Sequence, residues 1–348
     1  MQKATILIPD ISGYTQFLTK TELSHSTHII NELLQVIADS IQPDFKLIEI
    51  EGDALLTYAD GYFSPEKLEE ICEKAFRNFH YFLKVIERDR VCRCGACQGA
   101  SDLSLKFIVH YGEFDEVRIA HLTKLSGPDM IIAHRLMKNE VDQSEYLLMT
   151  DAYYNQARVK HFDYEAGSTA YDIIGRVFYH YADISFLRSQ VASPEKLEDL
   201  SKIFGLAKEV TLEIEAPLDE VHRVLTDQSE KMNYVEGLKS LTMDDDINRV
   251  GSTHICEFDG DSFDIKTVQE LDDNDQIIYI EKASSATHGF TLLVYYELLK
   301  KESSTVLSFR VLTADRQPLD GPMADQIYSQ NEYALNMMKN YVEKLQVA

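Results

Sequence analysis

Two aspartates and a cluster of cysteines are the residues whose type and spacing could do chemistry in this chain. Asp10 ends the apolar run Ile6-Leu7-Ile8 and is followed three residues later by Gly13, so a carboxylate stands where a strand gives way to a turn. Asp53 sits beside Gly52 between two strand-like runs, Phe45 to Ile50 and Ala54 to Tyr58. Carboxylate oxygens on neighbouring strands suit Mg²⁺ or Mn²⁺, which take one or two carboxylates together with substrate phosphates. Taken singly, each has a plainer reading: Asp10 as the cap of the following helix, Asp53 as a turn residue. Cys92, Cys94 and Cys97 form a C-x-C-x2-C pattern, close enough for three thiolates to meet one Zn²⁺. His80 or His110 is a candidate fourth ligand, and a reduced or redox-sensitive cysteine-rich loop is the alternative.

The surrounding pattern supplies elements to position these groups. Ile29, Ile30, Leu33, Leu34, Ile37 and Ile41 recur at helical spacing before Pro43. Ser64-Pro65 signals a second helix, whose broad apolar face from Leu68 to Ile86 is core and includes Cys72 as a buried thiol. LSLKFIVHYGEF reads as a strand, EYLLMTDAYYNQA as a strand with a short helix, and FDYEAGSTAYDIIGRVFYHYADI as closing strands. SPEKLEDLSKIFG predicts a linker helix capped by Ser193, with Pro194 at its first position and Gly205 at its end. From Lys208 the periodicity changes to one alternating strand, a helix opening at APLDEVHRVLTD, five further strands, and a long helix from about Pro322 to Leu345.

Composition narrows the classes. At 348 residues, with 45% hydrophobic and 26% charged residues, the chain predicts two soluble globular domains. A net charge of -24 argues against nucleic acid or an anionic membrane as a partner, since both would be repelled at long range. There is no apolar run of membrane-spanning length and no signal-peptide pattern, so the expectation is a cytoplasmic protein. Five cysteines, an odd number with three crowded together, fit reduced thiols or a metal site better than a disulfide framework.

ILIPDISGYT followed by IEIEGDALL resembles the class III adenylate/guanylate cyclase domain, here of the DUF2652 type, over residues 3–183. The resemblance implies an α+β, ferredoxin-like domain over residues 1–185, with Asp10, Asp53 and the Ile11 carbonyl holding two Mg²⁺ or Mn²⁺ ions. His110, Gly112 and Glu113 match the family's His-x-Gly-Glu strand end, where a structural role is expected. Gly127, Met130, Ala133 and Arg135 match its transition-state helix, and Arg135 would place a guanidinium on phosphate. Position 131 departs from the pattern, with Ile where the family has Asn. The base-reading positions are Glu49 and Lys124, which would reject adenine or else pair with one another. Because the family's site lies between two such domains, a homodimer is implied, with Arg135 supplied by the opposite subunit.

Residues 186–207 are expected to form the helical linker, and residues 208–348 resemble a START-like, polyketide-cyclase-like (SRPBCC) domain with a helix-grip fold. Such domains commonly enclose an apolar cavity. Phe258, Phe263, Tyr279, Tyr295, Phe309 and Met337 are candidates to line one or to be plain core. The expected function is therefore formation of a 3′,5′-cyclic nucleotide from a nucleoside triphosphate, with a C-terminal domain sensing a hydrophobic small molecule. The alternatives are an inactive nucleotide- and metal-binding regulator and a hydrophobic-ligand carrier.

Overall fold

Strand β1 (Gln2–Ser12) is buried at every position from Ala4 to Ile11. An alternating strand would expose every second residue, so burial on both faces marks β1 as the interior of a covered sheet. In the computed structural model, which describes residues 2–119, 122–156 and 161–347, β1 is followed by α1 (Tyr14–Lys20), α2 (Leu23–Ile41) and the hairpin of β2 (Lys46–Glu51) and β3 (Ala54–Asp60). Next come α3 (Pro65–Asp89), α4 (Gly95–Gly99), β4 (Ser104–Ile119), β5 (Leu122–Ser126), α5 (Pro128–Leu136), β6 (Tyr146–Thr150), α6 (Asp151–Tyr154), β7 (Glu165–Tyr171) and β8 (Gly175–Asp183). The sheet runs β2-β3-β1-β4-β6-β8-β7, with β5 folded onto β4. Only the β4–β6 pairing is parallel among these neighbours.

The apolar stripes of α2 and α3 are buried, from Ile29 to Ile41 and from Leu68 to Ile86. Helix α5 buries Met130, Ala133 and Leu136 against Ala4, Ile6 and Ile8 of β1 and Leu148 of β6. One helix is thereby fixed on the face of β1 that ends beside Asp10.

The chain divides into two units, Met1–Glu87 with Gln98–Pro194, and Arg88–Cys97 with Glu195–Ala348. In the second, β9 (Glu209–Ile214), α7 (Leu218–Thr226) and α8 (Lys231–Tyr234) precede β10 (Ser240–Met243), β11 (Thr253–Phe258), β12 (Asp261–Asp272), β13 (Gln276–Ser285), β14 (Phe290–Lys300), β15 (Thr305–Thr313) and α9 (Gly321–Leu345). The strands form one antiparallel sheet in the order β10-β11-β12-β13-β14-β15-β9. Ile327, Leu335, Met338 and Val342 of α9 pack with Ile214, Ile277, Leu307 and Phe309 of the sheet. Both units mix helices and sheet, and among the described residues no helix is long and apolar enough to cross a membrane.

Two local expectations differ from the structure. The linker is not one helix from Ser193 to Gly205; residues 193–199 are irregular and only a 3₁₀ segment, Leu200–Leu206, follows. Tertiary bonds take the backbone groups a helix would have used: Gln269 accepts from the Leu200 N–H at 2.8 Å and donates to the Glu198 carbonyl at 2.6 Å. A sixth strand, β10, joins the five expected after α7, its four residues too short to show a period. Tyr295 lies across the sheet from Tyr279 and Phe309, stacked obliquely on Phe204 at 4.9 Å, because adjacent Val294 faces the opposite side. Met337 is half-buried on α9, and Phe258 meets Phe263 edge-on at 5.7 Å.

Phe204 is fully buried with Ile280, Tyr295 and Leu312 and anchors the segment that replaces the expected helix. Phe204→Ala is expected to destabilise the C-terminal unit by about 3–5 kcal/mol. Urea unfolding of the full chain followed by circular dichroism measures this, and a change under about 1 kcal/mol would mean the segment is not packed as described.

Candidate functional site

Asp10 pairs in register with Ala54 of β3 on one side and Lys106 of β4 on the other. Beside it, the Ile11 N–H donates to the Asp53 carbonyl at 3.0 Å, so the β2–β3 turn is tied to the end of β1 and the two aspartates become neighbours. The turn requires Gly52, whose φ of +64° is left-handed, and a Cβ there would touch the Tyr14 ring at 3.6 Å. Asp10 is 6% exposed, and its Oδ2 lies 3.1 Å from the Lys106 ammonium. It does not cap α1. That helix starts at Gly13 with no side-chain cap.

The electrostatics follow from burial. Loss of solvent pushes the Asp10 carboxyl up to about 6 despite the opposing pull of Lys106, and Asp53 adds to the rise. Burial likewise raises Asp53. Two carboxylates that resist ionisation together, offering only oxygen donors, fit a hard divalent cation such as Mg²⁺ or Mn²⁺. Lys106 is the residue missed by the sequence reading. A lysine inside the apolar strand Leu105-Lys106-Phe107-Ile108-Val109 was the available signal, since a charge there needs a partner.

Helix α5 is held by a network built on the His-x-Gly-Glu strand end. His110 is buried, with Nδ1 2.8 Å from Thr150 Oγ1 and Nε2 3.2 Å from Asp129 Oδ1. The Glu113 N–H donates to Asp129 Oδ2 at 2.6 Å. These contacts, the His110 bond first, hold the Asp129 carboxyl below its ordinary range. A Cβ at Gly112 would meet Asp129 Cγ at 2.3 Å, so only glycine admits the carboxylate. His134 then reaches Glu51 of β2, Nδ1 to Oε2 2.9 Å. Arg135 and Ile131, one turn apart, are exposed, Ile131 by 53%. Among the described residues no hydrogen bond or ion pair ties Arg135 to Asp10 or Asp53.

Glu49 and Lys124 are brought together, Oε2 to Nζ 3.1 Å, as an ion pair on the surface. The candidate fourth zinc ligands are committed elsewhere: both His110 nitrogens as above, and His80 Nε2 against buried Glu145 at 3.0 Å. The Sγ atoms of Cys92, Cys94 and Cys97 lie within 4.8 Å of one another. Hydrogen bonds from the Cys94 and Cys97 thiols hold Cys92 down at about 4, while the bonds of Cys97 with Cys92 and Cys94 push Cys97 up.

Residues 30–146 match a family described as a protein of unknown function, DUF2652. An uncharacterized protein of Mycobacterium tuberculosis, Rv2561/Rv2562, is 35% identical over 120 residues, 34% of this chain and 56% of that protein. The chain thus spans about half the length of this curated relative. Solved structures similar to it include the guanylate cyclase domain of RhGC from Catenaria anguillulae in complex with GTP, at 16% identity and a TM-score of 0.36, over 52% of this chain and 96% of that one. The guanylyl cyclase Cya2 is 13% identical with a TM-score of 0.38, over 52% and 91%. A bacterial light-regulated adenylyl cyclase is 12% identical with a TM-score of 0.39, over 55% and 58%.

The raised Asp10 value has a sign that can be tested in metal-free protein. Because the folded carboxyl titrates near 6 rather than 3.8, the ionised form destabilises the fold fully above about pH 6 and not below about pH 4. Asp10→Asn is therefore expected to raise stability at pH 7.5 by roughly 1–3 kcal/mol, a gain that fades as pH falls to about 4. Thermal unfolding across that range in chelator checks it; a variant less stable than wild type at pH 7.5 contradicts it.

Proposed function

We propose that the N-terminal unit is a divalent-cation-dependent nucleotide cyclase site. It would convert a nucleoside triphosphate to a 3′,5′-cyclic nucleotide and pyrophosphate. The observation that carries this reading is the juxtaposition of Asp10 and Asp53, joined through the Ile11 N–H and raised together by burial. Asp10, Asp53 and the Ile11 carbonyl would hold the ions, which when bound would supply Lewis-acid activation of the ribose 3′-hydroxyl and neutralise phosphate charge. The 3′-oxygen displaces pyrophosphate from the α-phosphorus, its proton leaving to solvent. Lys106 keeps the carboxylate pair from carrying two uncompensated charges before the ions arrive. Arg135, on the exposed side of α5, serves a second copy of the chain, so the active unit is a homodimer. We place the protein in the cytoplasm.

A second reading has its own support. The Glu49–Lys124 ion pair satisfies both base-reading positions internally, and Ile131 gives the reacting centre no hydrogen-bonding group. Both features suit a domain that binds metal and nucleotide and reports it without turnover. For the C-terminal unit we infer a START-like domain sensing a hydrophobic small molecule, supported by its order of one strand, helices, six antiparallel strands and a long closing helix.

Purified full-length protein incubated with ATP, GTP, CTP or UTP and Mn²⁺ is expected to yield a cyclic nucleotide from at least one. Asp10→Ala and Asp53→Ala should each lower that rate by about 100-fold or more. Nucleotide binding without product, lost in both variants, selects the second reading. No product together with binding unchanged in Asp10→Ala removes both.

A further inference from the structure

The reading of the aspartate site makes no use of the cysteine cluster. Its segment, Arg88–Cys97, groups with the C-terminal unit although it lies about a hundred residues earlier in the chain than the rest of that unit. Asp89, Arg90, Val91 and Arg93 hold it there. The Val250 N–H donates to the Asp89 carbonyl at 2.8 Å, and Arg90 forms a β-bridge with Arg249. Val91 is fully buried in the core that contains Val221, Leu225 and Ile277. Arg93 spans Asp219 of α7 at 2.6 Å and Asp272 of β12 at 2.5 Å. The backbone carrying the three thiols is therefore positioned before any ligand arrives, which reduces the ordering cost of binding.

We propose that Cys92, Cys94 and Cys97 hold a structural zinc ion that locks the Arg88–Cys97 segment within the C-terminal unit. The donor set argues for the metal. Three sulfurs converge to within 4.8 Å of one another, and the Cys97 N–H donates to Cys94 Sγ at 3.4 Å, an orienting bond of the kind that supports a thiolate ligand. Soft thiolates select zinc, copper(I) or iron–sulfur clusters, and zinc completes four-coordination with one further donor of nitrogen or oxygen type. A fourth sulfur is not at hand within the chain. Cys72 is buried on α3, beside the Glu69 carboxylate, and Cys256 is buried on β11, beside Lys231 and Glu281. The coordination is therefore three sulfurs plus one lighter atom. Among three cysteines a disulfide would also leave one thiol over, whereas one ion uses all three.

The test begins with full-length protein purified under reducing conditions, equilibrated with Zn²⁺ and passed through a weak chelator. It should retain roughly one zinc per chain, with three sulfurs near 2.3 Å and one nitrogen or oxygen near 2.0 Å by X-ray absorption. Co²⁺ in its place should give thiolate-to-cobalt charge-transfer absorption. Asp10→Asn/Asp53→Asn should keep the zinc, and Cys92→Ser/Cys94→Ser/Cys97→Ser should lose it. If the triple variant does not fold, alkylation of wild type decides. Zn²⁺ should slow modification of Cys92, Cys94 and Cys97 by about tenfold or more, and stripping it should restore their reactivity. A disulfide among the three in the reduced preparation, no sulfur in the metal's shell, retention of zinc by the folded triple variant, or alkylation rates that ignore Zn²⁺ would each overturn the proposal.

Discussion

The N-terminal unit depends on how one buried carboxylate is tolerated. Asp10 stands where β1 meets both β3 and β4, in a sheet interior where an isolated charge is held at a large free-energy cost. Lys106 offsets part of that cost at 3.1 Å, yet Asp53 is near enough to oppose it. The result is a site with net negative character built into otherwise apolar packing. Structural economy alone would favour an uncharged residue here, because a buried ion pair rarely stabilises more than well-packed apolar groups of the same volume. The charge at Asp10 therefore lowers the stability of the metal-free fold rather than adding to it.

Much of this site was legible because local chemistry carries its own signature. Asp10 ends an apolar run three residues before Gly13, Asp53 adjoins Gly52, and the Gly52 turn occurs where its Gly-Asp pair placed it. The choice between cap and ligand for Asp10 was not legible, because it depends on Gly13 taking the cap position with no side-chain help. Lys106 was passed over for a related reason. In a strand buried on both faces the alternating pattern vanishes, and a lone lysine looks like an outward-facing residue until its neighbour across the sheet is known. The role of Asp129 was hidden too: its sequence neighbours mark a helix start, while its carboxylate is held by His110 and the Glu113 N–H, from a different strand.

The C-terminal half shows the same boundary between local and long-range information. Strand and helix order from β9 to α9 was readable from periodicity, apart from the four-residue elements α8 and β10. The linker misled because its capping signals are sound as local chemistry. Ser193, Pro194 and the spacing of Leu197, Leu200 and Phe204 favour a helix, and Gln269, distant in sequence, supplies bonds that outcompete it. No local pattern could place residues 88–97 with this unit either, since Val91 and Arg93 find their partners more than a hundred residues away.

Helix α5 is held in place without using its outward residues. Two anchors fix the helix, Asp129 at its first turn through His110 and Glu113, and His134 at its last through Glu51. Neither anchor involves position 131 or 135, so replacement of either outward residue leaves the helix in place. That separation lets the exposed face vary without loss of fold. Ile131 is half-exposed and apolar, a residue that gains nothing from water and offers nothing to a phosphate. Arg135, on the same face, presents an exposed guanidinium suited to an anionic ligand. The buried aspartates and the exposed arginine thus remain under different constraints. The carboxylates are tied to the sheet's electrostatics, whereas the arginine is free to be lost.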